Sequence, residues 1–192
     1  TRKESSAASD VYKRQVIGFP NGYMTSAVKA FEAADAIKNG ADEIDMVINL
    51  SMVKDGCWVD VANDIRAVRE ATRGKILKVI IECCLLTDEE KIHMCRIVAD
   101  CGADFIKTST GKGYPGATFE AAYTMCKAIK TYHSITGNKV GIKISGGVRT
   151  AEDAVRYYTI VKEILGNEWL NKDLFRIGAS SLVGDIEKRL GK

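Results

Sequence analysis

Two lysines occur inside apolar stretches of this sequence, where burying a charged side chain is costly. Lys107 lies in DFIKTSTGK and Lys143 lies in VGIKISGGVRT. If their strands are neighbours, the second cation and desolvation both disfavour the charged form of the first amine. An amine held neutral near pH 7 is the nucleophile that Schiff-base chemistry requires. The alternative is that both lysines lie at strand ends and pair with carboxylates.

A carboxylate is expected beside the two lysines. Asp45 alternates with apolar residues in ADEIDMVIN, so its side chain should point into the interior of the fold. Next to an amine it could hold charge and relay protons. Its alternative role is that of a plain ion-pair partner for one lysine. Lys78 and Glu82, in LKVIIE, are similar but less specific candidates.

Glycine- and serine-rich strings follow the last two predicted strands and each precedes a predicted helix. Backbone amides in such places can bind an anion, aided by the helix dipole. Parallel α/β barrels commonly bind phosphate at this point in the chain. The two strings are Gly146, Gly147, Val148, Arg149 and Gly178, Ala179, Ser180, Ser181.

Short β-branched runs alternate with stretches of helical periodicity along the chain, which is the βα pattern. Strands are predicted at residues 16–19, 43–48, 77–81, 105–108, 140–144 and 175–178, and helices at 24–39, 59–72, 88–101, 118–136, 150–165 and from 182 onward. The spacing of the strands predicts a parallel sheet. No GxGxxG follows the first strand, which favours a closed barrel over a doubly wound dinucleotide-binding sheet.

The composition predicts one ordinary globular domain. The chain has 192 residues, of which 46% are hydrophobic and 28% charged, with a formal net charge of +3. Mixed charges of both signs give no indication of nucleic-acid or membrane binding. With no spanning apolar run and no secretory signal, we expect a soluble, cytoplasmic protein. Residues 1–15 are expected to be a disordered or non-native tail, and 16–192 the domain.

Metal sites and disulfides are not expected. The six cysteines stand in a chain whose apolar core needs no disulfide scaffold. Zinc-type spacing is absent, because Cys83 and Cys84 are adjacent and the two histidines stand alone.

The quoted segments resemble a known family. DFIKTSTGK, VGIKISGGVRTAEDA and FRIGASSL resemble hallmark segments of the deoxyribose-phosphate aldolases, and ADEIDMVIN, LKVIIE and VIGFPNG resemble further segments. The resemblance implies a (β/α)8 TIM barrel that cleaves 2-deoxy-D-ribose 5-phosphate to acetaldehyde and D-glyceraldehyde 3-phosphate. It implies a lysine Schiff base and no cofactor or metal, and it makes a homodimer plausible.

The resemblance also implies a role for each site residue. Lys107 matches the Schiff-base lysine, Lys143 the second lysine that lowers its pKa, and Asp45 the aspartate that relays protons with a water. The phosphate-binding positions that it implies are Gly111, Lys112, Gly146, Gly147, Val148, Arg149, Gly178, Ala179, Ser180 and Ser181.

The chain departs from the family pattern at its start. Six strands are predicted from residue 16 onward, and the first two strands of the eight-stranded family barrel have no counterpart. Two other functions therefore stay open: a catalytically incomplete barrel fragment that binds phosphate, or another Schiff-base barrel aldolase.

Overall fold

The computed structural model describes residues 13–191, in which six β-strands alternate with seven α-helices. The strands are β1 (Arg14–Ile17), β2 (Glu43–Val47), β3 (Ile76–Ile80), β4 (Phe105–Lys107), β5 (Gly141–Ser145) and β6 (Phe175–Gly178). The helices are α1 (Ser26–Lys38), α2 (Leu50–Lys54), α3 (Trp58–Ala71), α4 (Asp88–Asp100), α5 (Phe119–Thr136), α6 (Ala151–Leu165) and α7 (Leu182–Arg189).

All six strands form one parallel sheet whose spatial order, β1 to β6, is the order of the sequence. A doubly wound sheet reverses its direction of winding at a switch point, and this sheet does not. The helices form a continuous layer, because α3 contacts α1 and α4, while α5 contacts α4 and α6. The predicted α/β class and parallel sheet are confirmed, and one face of the sheet is left as an interior face.

The sheet curls toward this interior face. Arg176 on β6 donates a hydrogen bond from Nη1 to Oε1 of Glu43 on β2, at 2.6 Å. These strands are four positions apart, which in a flat sheet would be about 19 Å at ~4.8 Å per strand. An arginine and a glutamate cannot span that distance together. The six strands therefore bend like the wall of a half-barrel.

Threonine side chains cap the starts of the four helices α1, α4, α5 and α6. Thr87 Oγ1 accepts a hydrogen bond from the Glu90 amide at 3.2 Å, and Glu90 Oε2 accepts one from the Thr87 amide at 2.7 Å, which forms a capping box. Thr150 Oγ1 accepts a hydrogen bond from the Asp153 amide at 3.1 Å. These caps satisfy backbone donors that would otherwise lack partners. Each cap thereby sets the residue at which the preceding loop ends and the helix begins.

The start of the chain differs from the sequence prediction. β1 begins at Arg14 rather than residue 16, so residues 14 and 15 belong to the strand and not to a tail. Their polar side chains hide the apolar pattern of a strand, whereas the backbone pairing of Arg14 with Glu43 decides the assignment. Residues 1–12 of the predicted tail lie outside the described residues. The sequence also missed the short helix α2, which Asn49 caps.

None of the helices within residues 13–191 is both long and apolar enough to cross a membrane.

A glycine on β5 makes room for the interior face, and its substitution should destabilise the chain. A Cβ on Gly141 would lie 2.5 Å from Cδ1 of Phe105 and 3.1 Å from the Leu174 carbonyl oxygen. We expect Gly141→Ala to lower the free energy of unfolding by about 1–3 kcal/mol, as overpacking does. Urea denaturation followed by circular dichroism measures the change.

Gly184→Ala is the matched control, because a Cβ there meets no atom within 4 Å and the residue lies in helix α7. Alanine is the better helix former by roughly 0.5–1 kcal/mol, so this variant should be as stable as the unmodified chain or slightly more stable. Equal stability of the Gly141 and Gly184 variants would contradict the close packing at β5.

Candidate active site

The strand register pairs ionisable side chains of neighbouring strands on the interior face. Asp45 on β2 is paired with Lys78 on β3, and Lys107 on β4 is paired with Lys143 on β5. In a parallel sheet, residues paired in this way point to the same side. The curl of the sheet then brings side chains from strands that are not neighbours into contact.

Asp45 is the centre of this group, which we call the amine cluster: Asp45, Lys78, Lys107 and Lys143. Lys107 Nζ lies 2.9 Å and Lys143 Nζ 2.8 Å from the same oxygen, Asp45 Oδ2. The Asp45 side chain is fully buried, and both lysines are nearly so. The structure thus brings together all three catalytic candidates from the sequence.

The second oxygen of Asp45 has a different environment. Lys78 Nζ lies 3.1 Å from Asp45 Oδ1, but among the described residues this oxygen receives no hydrogen bond of suitable geometry. A buried carboxylate oxygen that lacks a donor retains the capacity to accept one. Oδ1 is therefore the atom of Asp45 that is able to bind a water or a substrate hydroxyl.

A second ionic layer lies below the amine cluster. Glu43 accepts hydrogen bonds from Lys78 and from Arg176, and Arg14 Nε lies 3.9 Å from Asp45 Oδ2. Five basic groups therefore surround two carboxylates, an excess of three positive charges if all are ionised. Such an excess in a buried place favours loss of a proton from an amine.

The two catalytic candidate lysines have lowered pKa values. Burial lowers the pKa of Lys143 to about 7, with the charge of Lys107 acting in the same direction and Asp45 opposing both. Burial also lowers the pKa of Lys107, again against the attraction of Asp45. For Asp45, burial alone would raise the pKa, but Lys107, Lys143 and Lys78 outweigh it and hold the pKa well below its usual range. A neutral amine beside a charged carboxylate is thus available near neutral pH.

The loops after β4 and β5 are tied together just above the amine cluster. Thr108 Oγ1 donates a hydrogen bond to the Ser145 carbonyl oxygen and accepts one from the Ser145 amide, both at 2.9 Å. Ser145 Oγ in turn donates to the Ser109 carbonyl oxygen at 2.7 Å. Lys107 and Lys143 are each separated by no more than one residue from a member of this network. The network therefore fixes the relative position of the two strand ends.

Several anion-binding candidates lie at the same end of the sheet. A Cβ on Gly146 would lie 3.4 Å from the Gly111 Cα, and a Cβ on Gly178 would lie 3.3 Å from Cε of Lys143. Gly146 and Gly147 have φ of +85° and +87°, in the region that favours glycine. The loops after β4 and β5 are thus in contact, and Gly178 is adjacent to a catalytic candidate.

The other candidates lie in the same three loops with different exposure. Val148 is buried, whereas the exposed members are Lys112, Gly147, Arg149, Ala179, Ser180 and Ser181. Gly147, Val148 and Arg149 precede α6, and Ala179, Ser180 and Ser181 precede α7. Helices α6 and α7 are themselves joined, because Asp185 Oδ2 accepts a hydrogen bond from the Ala151 amide at 2.7 Å.

The sequence underestimated the ionic layer of Glu43, Lys78, Arg14 and Arg176. Glu43 and Asp45 are two residues apart, a spacing that puts both on one face of a strand and could have indicated the layer. Arg176 gave no such signal, because its partner Glu43 is 133 residues away. Only the curl of the sheet brings them together.

No metal centre is formed by the described residues. In the range 13–191, no three His, Cys, Asp or Glu side chains cluster in a way that could hold a metal ion. A concave region of about 440 Å³ lies at the opposite end of the strands, with Asp104, Lys139 and Asp173 in its lining, away from the amine cluster.

Fold and site together define a parallel α/β protein with buried amines and a shared carboxylate at the carboxyl ends of its strands. The sequence model described as DeoC/LacD family aldolase matches residues 8–181. The chain belongs to this aldolase family. The match begins at residue 8, within the predicted tail of residues 1–15.

Individual relatives agree with the family assignment. Deoxyribose-phosphate aldolase of Streptococcus agalactiae serotype Ia is 50% identical over 157 residues, which are 82% of this chain and 67% of the relative. A crystal structure from Coccidioides immitis, assigned as a deoxyribose-phosphate aldolase, is 38% identical with a TM-score of 0.79 and covers 92% of this chain and 64% of its own. A tetrameric deoxyribose-phosphate aldolase from Aeropyrum pernix is 28% identical, with a TM-score of 0.74, and covers 93% and 68%. The chain spans about two thirds of the length of these relatives.

The lowered pKa of Lys143 predicts how its contribution to stability changes with pH. Below about pH 7 this amine is protonated in both the folded and the unfolded chain. Between about 7 and the ordinary value of 10.5, only the unfolded chain binds the proton, so the free energy of unfolding rises with pH. We expect the difference in this free energy between the unmodified chain and Lys143→Met to rise by up to ~1.4 kcal/mol per pH unit in that window.

Urea denaturation of both chains at pH values on either side of about 7 measures this difference. A difference that stays constant as the pH rises would contradict the lowered pKa of Lys143.

Proposed function

We propose that the chain carries the active site of a deoxyribose-phosphate aldolase. The reaction is the reversible cleavage of 2-deoxy-D-ribose 5-phosphate to acetaldehyde and D-glyceraldehyde 3-phosphate through a lysine Schiff base. The observation that carries the proposal is the pair of buried lysines on one oxygen of Asp45, both with lowered pKa. The names of the relatives support the choice of substrate.

Lys107 is the proposed nucleophile. Its neutral Nζ adds to the aldehyde carbon of the open-chain sugar, and the carbinolamine loses water to give an iminium ion. The iminium withdraws electrons as the carbon–carbon bond between C2 and C3 breaks. D-Glyceraldehyde 3-phosphate leaves as the free aldehyde, and the two-carbon fragment stays on Lys107 as an enamine. Protonation at C2 and hydrolysis then release acetaldehyde and restore the amine.

Asp45 is proposed to relay protons in these steps, and Lys143 is proposed to control the protonation of the nucleophile. Asp45 Oδ1 is free to accept a hydrogen bond from a water, which can take the proton of the C3 hydroxyl group as the bond breaks. Lys143 titrates near neutral pH and shares Asp45 Oδ2 with Lys107, so its charge disfavours protonation of the nucleophile. The iminium serves as the electron sink, so the proposed pathway calls for no metal or cofactor.

The glycine-rich loops are the proposed phosphate site. Gly146 lies against Gly111, and Gly178 lies against Lys143, so the loops that would hold the anion adjoin the reactive amines. Backbone amides at the starts of α6 and α7, with Lys112 and Arg149, supply positive potential. Holding the phosphate end of the substrate would bring its aldehyde carbon to Lys107. The full proposed set is Gly111, Lys112, Gly146, Gly147, Val148, Arg149, Gly178, Ala179, Ser180 and Ser181.

We further propose that the aldolase domain extends from Arg14, where β1 begins, to residue 192 and that the six strands are part of a (β/α)8 TIM barrel. The curl of the sheet across β2 to β6 supports a barrel wall, and β1 and β6 each have a free edge within residues 13–191. The competing function is a phosphate-binding barrel fragment without turnover. It is favoured by the free edge of β1, where Arg14 is half-exposed although it lies beside the buried Asp45.

The proposed function predicts covalent trapping at one lysine. With acetaldehyde and borohydride, we expect the iminium to be reduced to an ethyl group on Lys107, because burial lowers the pKa of this amine and it lies beside Asp45. Lys107→Ala should abolish trapping and turnover yet retain phosphate binding, and Asp45→Asn should lower the rate on the order of 10²–10⁴-fold. Intact mass and peptide mapping measure the adduct.

Lys130→Ala, at an exposed lysine of α5, is the control and should trap like the unmodified chain. An adduct on Lys143 would overturn the assignment of the nucleophile. A folded chain that binds phosphate but forms no adduct would favour the non-catalytic alternative.

We also propose that the protein is a cytoplasmic homodimer. All six cysteines are free, which fits a reducing compartment, and the Aeropyrum pernix relative is itself an oligomer. Light scattering of the purified chain should give twice the mass of one chain. A monomer at all concentrations would contradict the homodimer.

A further inference from the structure

Glu82 has an unusual backbone at the end of β3. Its φ of +47° makes it the one non-glycine residue in the range 13–191 with a positive φ. A non-glycine residue in this region is strained by roughly 1–3 kcal/mol and persists only where its surroundings hold it. The side chain is also buried, with 4% exposure, although it is a carboxylate. The amine cluster does not explain either feature, because among residues 13–191 the hydrogen bonds of the Glu82 carboxylate go to Thr110 and Cys84 and not to a cluster member.

The partner of Glu82 is the loop that follows Lys107. Thr110 donates to the Glu82 carboxylate from its hydroxyl, and its amide lies 3.3 Å from Oε1 and 3.2 Å from Oε2. Both polar groups of Thr110 that can donate are thus used on one carboxylate. Hydrogen bonds to an ionised acceptor are about twice as strong as neutral ones.

Thr110 also contacts the segment that follows it, which contains the phosphate-binding candidates Gly111 and Lys112. The Lys112 amide donates to Thr110 Oγ1 at 3.0 Å. A Cβ on Gly113 would lie 3.4 Å from Cδ of Glu82, so the loop packs directly on the carboxyl group. Gly111, between Thr110 and Lys112, lies against Gly146 of the next loop. The Glu82 carboxylate is therefore linked through Thr110 to a segment in which Gly111 lies against Gly146.

The sign of the charge decides what Glu82 can do. A carboxylate repels an anion, so Glu82 would weaken phosphate binding if it touched the phosphate. Its hydrogen bonds point to Thr110, and its contribution must act through that residue. With the Thr110 hydroxyl bonded to Glu82 and the Lys112 amide bonded to that hydroxyl, the backbone of the segment that would face the anion is held in one conformation.

We propose that Glu82 is a positioning residue that, through Thr110, holds the Gly111–Lys112 segment in place for the phosphate end of the substrate. The inference rests on the proposed function for the identity of the ligand. It assigns Glu82 to affinity for the anion and not to the chemistry at Lys107. The strained backbone fits this role, because in this conformation the Glu82 carboxylate accepts the hydrogen bonds of Thr110.

The test compares four variants in two assays. The variants are Glu82→Gln, Thr110→Val, the double variant and Thr110→Ser, with the exposed Glu89→Gln of α4 as the matched control. The first assay is calorimetric titration with inorganic phosphate, and the second is trapping of acetaldehyde on Lys107 with borohydride. Circular dichroism confirms that each variant is folded. The second assay uses no phosphate and reports on the amine alone.

We expect Glu82→Gln and Thr110→Val each to weaken phosphate binding by roughly 10-fold, the effect of losing one charge-assisted hydrogen bond, with the trapping rate unchanged. The double variant should be no weaker than either single variant, because both remove one interaction. Thr110→Ser retains the hydroxyl and should bind phosphate like the unmodified chain. Glu89→Gln should have no effect in either assay.

Tighter phosphate binding by Glu82→Gln would overturn the inference, since it would show that the carboxylate repels the anion directly. Additive losses in the double variant, or equal losses in both assays, would also overturn it. So would an unmodified chain that binds no phosphate. A chain that shows the expected phosphate pattern but never forms an adduct refutes the proposed aldolase chemistry and leaves the role of Glu82 intact.

Discussion

Three lysine amines and one buried carboxylate meet on the interior face, and the rest of the site depends on this contact. Asp45 uses one oxygen for Lys107 and Lys143 and keeps the other near Lys78. Unpaired buried charges are very costly, so the carboxylate is what makes the lysines tolerable inside the fold. Because one anion serves several cations, the balance still favours a neutral amine.

This arrangement requires a curled sheet. Asp45 and Lys143 lie three strands apart, and Glu43 and Arg176 lie four strands apart, yet each pair is in contact. In turn, the curl needs small residues where the strands converge. Gly141 is such a residue, because any Cβ at this position would collide with the Phe105 ring. The same ion pairs that prepare the amines therefore also bind opposite ends of the sheet together.

The loops above the amine cluster extend its order to the candidate phosphate site. Thr108 and Ser145 join the ends of β4 and β5, while Glu82 holds Thr110 from the other side. The loop after Lys107 is thus fastened to both neighbouring strands. Such fastening keeps Gly111 and Gly146 at a fixed distance from Lys107, which would position a substrate for attack in the proposed reaction.

The sequence by itself determined the βα repeat, the parallel sheet and the candidates Asp45, Lys107 and Lys143, because period-2 and period-3.6 patterns and ionisable residues in apolar strands are local signals. Only the tertiary structure decided that both lysines share one oxygen, that Arg176 reaches Glu43, and that Glu82 holds Thr110. Those contacts depend on strand register and sheet curl. Both arise from packing between residues far apart in the chain, which no local pattern encodes.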